Sequence, residues 1–510
     1  MLYEVGYAPT MEQEIVKVTL TNRRAALTYP YPAEEIKPFF QFKPKGYEWS
    51  PKYRQHVWDG NISLIKNGKV GTGLFLAQRE AVEKGSTVRF SINDTRTKPK
   101  FHHADPRKIQ VPGWELRDHQ YGAVLAMMKC ANTGGLVMNA TGTGKTVTAG
   151  VFLKNLDGYG LFVVDELTLL DQAQKELEQI LGEKVGVVGN SVFDPQRVTV
   201  ATVQTLARNK TKVPFKRWAK LISVMIIDEL HLMLNKRQWD VVKVFDPQAV
   251  FGLTATLQLK KTEVRYKAYD LCGPVIFEYP YEQGVQEHVL TPGVVVGVDL
   301  RREAPKTLDY AWLYAERIVR SQRRNTLVAD LVREGIARDK RIVVLVERVR
   351  HLKILSRMLV SISHAVVYGE MPVKQRILSK ERFDAGELNL LICNRVFKKG
   401  INLKSLDCII DAAAMHSQND AVQKYGRGVR LCASKRGLIY FDIGDRKPLA
   451  KGKPNRFTAA TKSRRQALAA IGVQVVPVLA RIGVVSLYDK AEAVLDNVLA
   501  ARVKKTTKIL

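Results

Sequence analysis

Short apolar runs separated by amphipathic stretches dominate the chain from about residue 109 onward. Between 109 and 290 the runs are LVMNA, GLFVV, RVTVATV, SVMIID and AVFGLTA, and helix-like sequence lies between them. This alternation predicts a parallel sheet built from βαβ units. It restarts after 310 in RIVVLVE, AVVYG, LNLLICN, CIIDAA and GLIYFD. The sequence therefore predicts two tandem α/β domains with parallel sheets.

The flanking segments differ from this pattern. Residues 1 to about 105 alternate short strand-like runs with turn signals and predict a small β-containing module. The polar segment DTRTKPKFHHADPR, 94–107, predicts a linker. After Asp445 the chain is rich in Ala, Leu, Val, Lys and Arg and predicts a short, basic, mainly helical extension. The predicted domains are 1–105, 109–295, 305–446 and 447–510.

Composition adds limits on location. The chain has 510 residues, of which 46% are hydrophobic and 25% charged, and no run of about 18 uncharged apolar residues occurs. We therefore expect no membrane span. The N-terminal residues lack a basic region followed by an apolar stretch, which predicts no secretory signal. Five scattered cysteines without a CxxC pattern are typical of reduced packing residues, so we expect a cytoplasmic protein.

The charge balance indicates the partner. Lys and Arg number 80 against 50 Asp and Glu, a formal net charge of +30. Such an excess favours a polyanion through counterion release and electrostatic steering, and nucleic acid is the leading candidate. The alternative is a basic surface that is merely well solvated.

A glycine-rich turn, NATGTGKTV at 139–147, follows the apolar run LVM and precedes helix-like sequence. Glycines let the backbone wrap around phosphate with its N–H groups pointing inward. Lys145 would reach the β and γ phosphates, and the Thr146 hydroxyl would bind Mg²⁺. Asn139 stands where the strict pattern has Gly. The predicted phosphate loop comprises Thr141, Gly142, Thr143, Gly144, Lys145 and Thr146.

Two acidic segments compete for the metal, VVDEL at 163–167 and IIDEL at 226–230. The magnesium ligand should end a strand beside the phosphate-loop strand and be followed by a carboxylate that orients the attacking water. Only the second continues as DELH and is followed by LTAT at the end of another apolar run. We therefore predict that Asp228 binds Mg²⁺ and that Glu229 orients the attacking water.

The order GTGKT, DELH, TAT resembles superfamily 2 helicases of the DExH type, and the resemblance covers roughly 109–445. It implies two RecA-like domains with ATP and Mg²⁺ in the cleft between them and nucleic acid crossing both. LRDHQ places Gln120 against adenine, and VATVQTL places Thr202 and Gln204 on the nucleic-acid backbone. The resemblance also implies a nucleic-acid contact for Arg348. It implies that three residues couple ATP to nucleic acid, namely His231, Thr254 and Thr256.

The second domain carries QKYGRGVR at 423–430, which matches the family pattern QxxGRxxR. Two guanidinium groups three residues apart would lie on one helix face and could meet a γ-phosphate. Gln423, Arg427 and Arg430 are thus candidate catalytic residues, and the alternative is a solvated basic helix turn. VFKKGINL at 396–403 resembles the segment that couples nucleic acid to ATP, with Gly400 matching.

The first acidic segment fits a different family element. Aligning Leu169 and Gln172 with the pattern PTxxLxxQ makes Gln172 a nucleic-acid contact and places Asp165 and Glu166 at its Pro and Thr. An acidic pair is unexpected there because like charges repel beside a phosphate backbone. The sequence alone offers no physical reason for this pair.

The segment FFQFKPKGYEWSPKYRQHVWDGNISLI, 39–65, interleaves aromatic and basic residues. Trp49, Arg54 and Trp58 could stack bases and grip phosphates. The alternative is that the aromatics form the core of a small domain. The part from Gly46 to Ile65 resembles the region preceding the motor in bacteriophage branch-migration DNA helicases.

That narrower resemblance implies an ATP-dependent DNA helicase that remodels forks, displacement loops and four-way junctions in recombination, replication or repair. We expect it to act as a monomer, with recombination or replication proteins as further partners. The rivals are an RNA helicase, a duplex translocase that does not separate strands, and a nucleic-acid binding or annealing module whose motor is vestigial.

Overall fold

The computed structural model describes residues 13–165, 167–234, 245–255, 259–301, 309–394, 403, 405–414, 418–432, 435–446, 456–480 and 483–506. The chain divides into two compact units. Unit 1 comprises Met1–Asn139 and Gly144–Glu278, and unit 2 comprises Ala140–Thr143 and Tyr279–Leu510. Within the described ranges, no helix combines the length and the apolar character needed to cross a membrane.

Unit 1 contains an N-terminal module and an α/β domain. The strands of the module and the segment that follows it are β1 (Glu14–Leu20), β2 (Arg24–Leu27), β3 (Gln41–Phe42), β4 (Ile62–Ser63), β5 (Lys69–Gly71), β6 (Val88–Asp94) and β7 (Lys100–Phe101). The helices of the module are α1 (Ala33–Ile36), α2 (Pro51–Arg54) and α3 (Thr72–Gly85).

The α/β domain follows. Its strands are β8 (Gly134–Asn139), β9 (Leu156–Asp157), β10 (Tyr159–Val164), β11 (Gly186–Gly189), β12 (Val192–Asp194), β13 (Val198–Thr202), β14 (Ile222–Ile227), β15 (Ala249–Thr254) and β16 (Val275–Tyr279). Its helices are α4 (Asp118–Lys129), α5 (Lys145–Asn155), α6 (Leu167–Leu181), α7 (Val203–Asn209), α8 (Val213–Ala219) and α9 (Thr262–Leu271).

The N-terminal module is a four-stranded sheet in the order β5-β2-β1-β6, covered by α3. Its apolar side chains belong to the same hydrophobic cluster as side chains of the α/β domain, for example Phe75 of the module and Leu136 of β8. At the seam the backbones approach closely, since a Cβ atom on Gly73 would lie 2.4 Å from Cα of Gly273. The module and the α/β domain therefore share one core.

Polar contacts reinforce this seam. The backbone N–H of Gly71 donates to Oδ1 of Asp270 at 2.7 Å. The half-buried Arg23 side chain donates from its guanidinium to the carbonyl oxygens of Thr133 and Leu271. Because buried donors without partners are costly, these hydrogen bonds help to fix the register of the module on the domain.

The segment 94–107, predicted as a linker, is held on the α/β domain. The side chain of Arg96 donates to Oγ1 of Thr133 at 2.8 Å, and the backbone N–H of His102 donates to the Asn155 carbonyl at 2.9 Å. Strand β7 pairs with β9. The segment connects the module to the domain as predicted, but its polar, proline-punctuated composition does not show which of its groups find partners there.

The α/β domain contains an eight-stranded sheet in the order β12-β11-β13-β10-β14-β15-β8-β16. The pairs of β8 with β15, β15 with β14, β14 with β10 and β10 with β13 are all parallel. Parallel strands expose their carboxyl ends along one edge, so the loops after these strands meet there. The phosphate loop and both acidic segments follow such strands.

Unit 2 is a second α/β domain. Its strands are β17 (Gly293–Arg301), β18 (Ile342–Leu345), β19 (His364–Val367), β20 (Leu390–Cys393), β21 (Cys408–Asp411), β22 (Leu438–Arg446) and β23 (Gln474–Leu479). Its helices are α10 (Tyr281–Gln286), α11 (Tyr310–Tyr314), α12 (Gln322–Ala337), α13 (Val349–Met358), α14 (Val373–Asp384), α15 (Gln418–Gly428), α16 (Arg456–Ala470) and α17 (Val484–Thr506).

The sheet of unit 2 has the order β19-β20-β18-β21-β22-β17-β23. The C-terminal extension supplies β23, which pairs in parallel with β17, for example Val296 with Val476. Tyr488 of α17 is fully buried and donates its hydroxyl to the Leu331 carbonyl at 2.9 Å. The extension thus completes the sheet, with a strand that the prediction of a mainly helical segment did not contain.

Candidate active site and nucleic-acid interface

The phosphate loop joins the end of β8 to the start of α5. Gly142 and Gly144 have φ values of +93° and +84°, in the left-handed region that favours glycine. A Cβ atom on Gly144 would lie 2.5 Å from Nε2 of Gln120, so the loop packs directly against the residue predicted to contact adenine. The Thr143 hydroxyl donates to the Ala140 carbonyl at 2.8 Å. The result is a tight turn at a helix N-terminus, where backbone N–H groups can bind phosphate.

Polar atoms at this loop fit an anionic ligand. Nζ of Lys145 donates to the carbonyl of Asn139 at 3.3 Å, and Thr146 is half-buried beside it. The Asn139 side chain is completely buried, and neither its amide nitrogen nor its oxygen has a hydrogen-bond partner among the described residues. The same holds for Oγ1 of Thr141. Unpaired buried groups of this kind cost roughly 1–3 kcal/mol each, and a bound phosphate could satisfy donors among them. Asn139 is therefore compatible with a phosphate loop, although it replaces the usual Gly.

Asp228 follows β14 directly, and its backbone N–H donates to the Val163 carbonyl at 2.9 Å. Burial raises the pKa of Asp228 to about 7, the charge of Glu229 adds to this, and Lys145 opposes it. A cation bound beside this desolvated carboxyl group would stabilise its ionised form. Mg²⁺ is usually held by one or two carboxylates together with substrate phosphates, so Asp228 and the Thr146 hydroxyl fit its needs.

Glu229 has a left-handed backbone with φ of +46°, which is strained for a residue with a side chain. Its N–H donates to Oδ1 of Asp228 at 3.0 Å. Oε2 of Glu229 lies 3.4 Å from Nδ1 of His231, a side chain that is almost fully buried. Such strain persists only where neighbours enforce it, and here it holds two carboxylates side by side.

The order of strands corrects one expectation. Asp228 was expected beside the phosphate-loop strand, but β15 lies between β8 and β14. The intervening strand ends at Thr254, which is in register with Met138 of β8. Nδ1 of His231 lies 3.4 Å from Oγ1 of Thr254. Thr254 therefore bridges the phosphate-loop strand and the DELH segment, which is where a coupling residue would act. Thr256 lies outside the described residues.

The first acidic segment ends β10, next to β13. Oδ1 of Asp165 accepts a hydrogen bond from Nε2 of Gln204 at 3.3 Å. The sequence did not reveal this contact between Asp165 and a residue predicted to bind nucleic acid. Glu166 lies outside the described residues.

The three predicted nucleic-acid contacts of this domain differ in exposure. Gln172 on α6 and Gln204 on α7 are exposed. Thr202 is buried, and its hydroxyl caps α7 by accepting from the N–H of Thr205 at 3.4 Å. The side chain of Thr202 is therefore committed to local structure rather than presented to a ligand.

In unit 2 the arginines do not share a helix face as predicted. Helix α15 ends at Gly428, and Arg430 lies beyond it in a backbone bridge with Leu290. The N–H of Thr291 donates to the Val429 carbonyl at 2.8 Å, and its hydroxyl donates to the Arg430 carbonyl at 3.1 Å. Spacing in sequence assumed that the helix continued, whereas pairing with residues 290–291 extends the backbone. Gln423 and Arg427 remain on the helix, half-buried.

A buried network supports this arginine helix. Nζ of Lys424 lies 2.7 Å from Oδ2 of Asp411, which also accepts from the Tyr440 hydroxyl at 2.7 Å. Burial opposes ionisation of Asp411, but the charges of Lys424 and Arg464 and these hydrogen bonds outweigh it and lower the pKa of Asp411 to about 2. Sequence reading missed Lys424 and Asp411. The signal was a lysine inside the QKYGRGVR helix and an aspartate ending the apolar run CIID.

The network continues into the C-terminal extension. Arg464 of α16 contacts Oδ1 of Asp442 at 2.8 Å, and Arg465 contacts Oδ2 of the same residue at 2.7 Å. Arg465 also lies 2.8 Å from Oδ1 of Asp299. Charged residues of the extension therefore pack on the carboxylates of β17 and β22, which explains part of its basic composition.

Two further predictions concern unit 2. Arg348 is exposed at the start of α13, just after β18, and its guanidinium carbon lies 5.8 Å from the ring centre of Tyr314. This position at a strand's carboxyl end is compatible with a nucleic-acid contact. Gly400 lies outside the described residues.

The aromatic segment of the N-terminal module divides into two parts. Phe40 and Phe42 are buried in the core, as the packing alternative predicted. Trp49 is 74% exposed, and the Arg54 guanidinium carbon lies 5.0 Å from the centre of its ring. Trp58 is half-buried and donates its Nε1–H to the Asn61 carbonyl at 2.7 Å. Only the second part offers aromatic surface to a ligand.

Comparison with known proteins agrees with this arrangement. Residues 113–259 match the family "Type III restriction enzyme, res subunit", and residues 324–432 match "Helicase conserved C-terminal domain". "ATP-dependent DNA helicase uvsW" of Enterobacteria phage T4 is 22% identical over 448 residues, which cover 81% of this chain and 86% of that protein. "Probable helicase D10" of Escherichia phage T5 is 20% identical over 362 residues, covering 70% and 76%.

A solved structure extends the comparison to the fold. The structure of S. cerevisiae Dbp5 bound to RNA and ADP BeF3 has a TM-score of 0.51 and 13% identity, and the match covers 75% of this chain and 93% of that one. The likeness shows that the two parallel-sheet domains are RecA-like. Together, the two matched families, the phage relatives and this fold show that the chain belongs to the superfamily 2 helicases and is an ATP-dependent helicase.

Proposed function

We propose that this protein is a DNA helicase that uses ATP to unwind or branch-migrate forks, displacement loops and four-way junctions. One observation carries the enzymatic part: the phosphate loop and the DELH segment lie on one sheet edge, and Thr254 bridges their strands with its hydroxyl 3.4 Å from His231. The choice of DNA is supported by the phage T4 relative, whose name states a DNA helicase, and by the net charge of +30.

The residues of unit 1 would divide the work at the nucleotide. Gln120 would contact the base, while Lys145 and the loop N–H groups would hold the phosphates. Asp228 and Thr146 would hold Mg²⁺, which when bound neutralises phosphate charge. Glu229 would orient the attacking water and accept its proton, from a backbone already held in a strained conformation. Arg427 and Arg430 would add positive charge to the phosphate that is transferred.

Coupling to DNA would use the neighbouring strand ends. His231 contacts both Glu229 and Thr254. A movement of the Glu229 carboxylate on hydrolysis would therefore displace His231 and, through it, Thr254 at the end of β15. On the other side of β14, Asp165 holds Gln204, an exposed candidate for contact with the DNA backbone. These contacts give a short physical route between hydrolysis and the nucleic-acid surface.

The test is ATP hydrolysis measured without nucleic acid and with single-stranded DNA, a model fork, a four-way junction and duplex RNA. Strongest stimulation by branched DNA, lost in Lys145→Ala, is the expected result. Stimulation by RNA alone would replace the proposal with an RNA helicase. Stimulation by duplex DNA with triplex displacement, but without strand separation, would indicate a translocase.

A further inference from the structure

Residues 46–61 of the N-terminal module form a compact loop, which we call the aromatic loop. A 3-10 turn at Tyr47–Trp49 and helix α2 build its first half. The rings of Tyr47 and Tyr53 meet edge to face with centroids 4.8 Å apart, and a Cβ atom on Gly60 would lie 2.6 Å from the Tyr47 ring. The loop therefore holds its shape through its own contacts, so a ligand would not have to order it.

The aromatic loop keeps two large apolar side chains out of the core. Trp49 is 74% exposed and Val57 is 73% exposed. His56, next to Val57, has a left-handed backbone with φ of +57°. The two exposed side chains offer apolar surface that a ligand could cover, and a left-handed backbone is uncommon for a residue with a side chain.

A cleft of about 330 Å³ opens in this loop. Its apolar walls come from Tyr53, Val57 and Trp58. Its polar lining consists of two carboxylates, one guanidinium and one imidazole, from Glu48, Asp59, Arg54 and His56. The hydrogen bonds that Asn61 donates from its backbone and its side chain lower the pKa of Asp59, so this group is ionised at neutral pH. The lining thus combines flat apolar surface with strong hydrogen-bond acceptors.

This chemistry selects one part of a nucleic acid. Phosphate would be repelled by the two carboxylates, whereas a nucleobase is flat, stacks on aromatic rings and can donate hydrogen bonds from an exocyclic amino group. The exposed lysines Lys43, Lys45 and Lys52 lie on or next to the same loop and can take the flanking phosphates. Hydrogen-bond acceptors inside the cleft would face the base, and the lysines around it would face the phosphates on either side of that base.

We propose that the aromatic loop is a binding site for an unpaired nucleobase of branched DNA, and that it prefers bases with an exocyclic amino group. Adenine, cytosine and guanine carry such a group and thymine does not. A duplex hides its bases, so the site distinguishes a fork with unpaired arms from continuous duplex. The inference rests on the proposed function because it takes DNA as the substrate.

The test compares the binding of forks whose single-stranded arms are poly(dA), poly(dC), poly(dT) or abasic, by fluorescence anisotropy with the full chain. We expect dA and dC arms to bind more tightly than dT, and abasic arms most weakly. Trp49 does not line the cleft but flanks it, with its ring centre 5.0 Å from the guanidinium carbon of Arg54, which does line it. Trp49→Ala removes this flanking stacking surface and should weaken binding of base-containing arms by roughly tenfold. Glu48→Gln keeps the shape of the side chain and should reduce the preference for dA and dC over dT.

Tyr29→Ala is the matched control, because Tyr29 is an equally exposed aromatic of the same module, at 84%. It should leave fork binding unchanged, and thermal unfolding should show that all variants are folded. Equal binding of all arms, or Trp49→Ala without effect, would overturn the base site while fork-stimulated hydrolysis by the unchanged protein still supports the helicase. No binding and no hydrolysis with any DNA would instead refute the proposed function.

Discussion

Asp411 and Lys424 form a buried ion pair at 2.7 Å on the inner side of the arginine helix. Removing one partner from such a pair leaves an uncompensated buried charge, at a cost of about 3–5 kcal/mol. We therefore expect Lys424→Met to lower the free energy of unfolding of unit 2 by that amount, measured by chemical denaturation. Arg436→Ala removes the exposed ion pair with Asp496 and should leave the midpoint of the denaturation transition unchanged. Equal effects of the two changes would show that burial of the pair is unimportant.

His351 should make unit 2 sensitive to mild acid. Its Nε2 lies 2.8 Å from Oδ1 of Asn325, and burial, helped by the charge of Arg324, lowers its pKa to about 3. The unfolded chain has an ordinary histidine pKa of about 6.5, so below that pH only the unfolded state takes up the proton. Stability is therefore lost as pH falls from 6.5 towards 3, by about 2 kcal/mol at pH 5.

Chemical denaturation at pH 7 and pH 5 measures this loss. His351→Gln keeps a side-chain N–H for Asn325 but cannot titrate. In this variant the free energy of unfolding should therefore fall much less between pH 7 and pH 5 than in the unchanged protein. The interval from pH 5 to pH 7 lies above the pKa of Asp411, about 2, and above the ordinary pKa of a carboxyl group. Protonation of such carboxylates therefore adds little to the loss of stability. An unchanged difference in the variant would contradict the assignment.

The seam between the N-terminal module and the first α/β domain should not tolerate a methyl group. A Cβ atom on Gly73 would lie 2.4 Å from backbone atoms of Gly273, so Gly73→Ala should cost roughly 1–3 kcal/mol through overpacking. Gly483→Ala is the control because a Cβ atom there meets no atom of the described residues within 4 Å. Thermal unfolding of both variants checks this, and a stable Gly73→Ala protein would mean that the seam can open without cost.

Asp165 should act through Gln204. Because Gln204 donates to Asp165, Asp165→Ala should reduce DNA-stimulated hydrolysis several-fold by freeing that side chain. Gln204→Ala should have a similar effect, and the double variant should be no worse than either single one. Steady-state hydrolysis at saturating fork measures this, and additive losses would show that the two residues act separately.

Glu229→Gln tests whether the motor is needed. The amide cannot accept a proton from water, so hydrolysis should fall by at least 100-fold while ATP binding persists. Strand separation on a labelled fork should disappear in parallel. Unchanged remodelling would favour the rival, a nucleic-acid annealing module with a vestigial motor.

Sequence patterns were most informative where function constrains local structure. The loop at 139–147 has the conformation that its glycines require, and apolar runs such as SVMIID and CIIDAA form strands of two parallel sheets. Strand order, by contrast, depends on pairing between distant segments, and this is why β15 between β8 and β14 was not foreseen. The expectation that Arg427 and Arg430 share a helix face was wrong for the same reason. The distant segment 290–291 forms hydrogen bonds with the backbone of Val429 and Arg430, so the helix does not continue.

The N-terminal aromatics illustrate a second limit. Phe40 and Trp49 look equivalent in a run of aromatic and basic letters, yet one is buried and the other exposed. Composition specifies how much apolar surface a segment has, but tertiary packing decides which of it meets water. The packing alternative therefore holds for Phe40 and Phe42. Trp49 is left exposed, and its stacking on bases stays a prediction.

The shared core of the module and the first α/β domain has a mechanical consequence. A flexible linker would let the module rotate independently of the domain. Here the close approach of Gly73 to Gly273 and the contacts of Asp270 and Arg23 hold the module in a fixed position on the domain. The aromatic loop belongs to this module, so we expect it to move together with the first α/β domain as one body. A rotation of that domain would then carry the aromatic loop with it, so a movement that begins at the phosphate loop would be transmitted to the module without an intervening hinge.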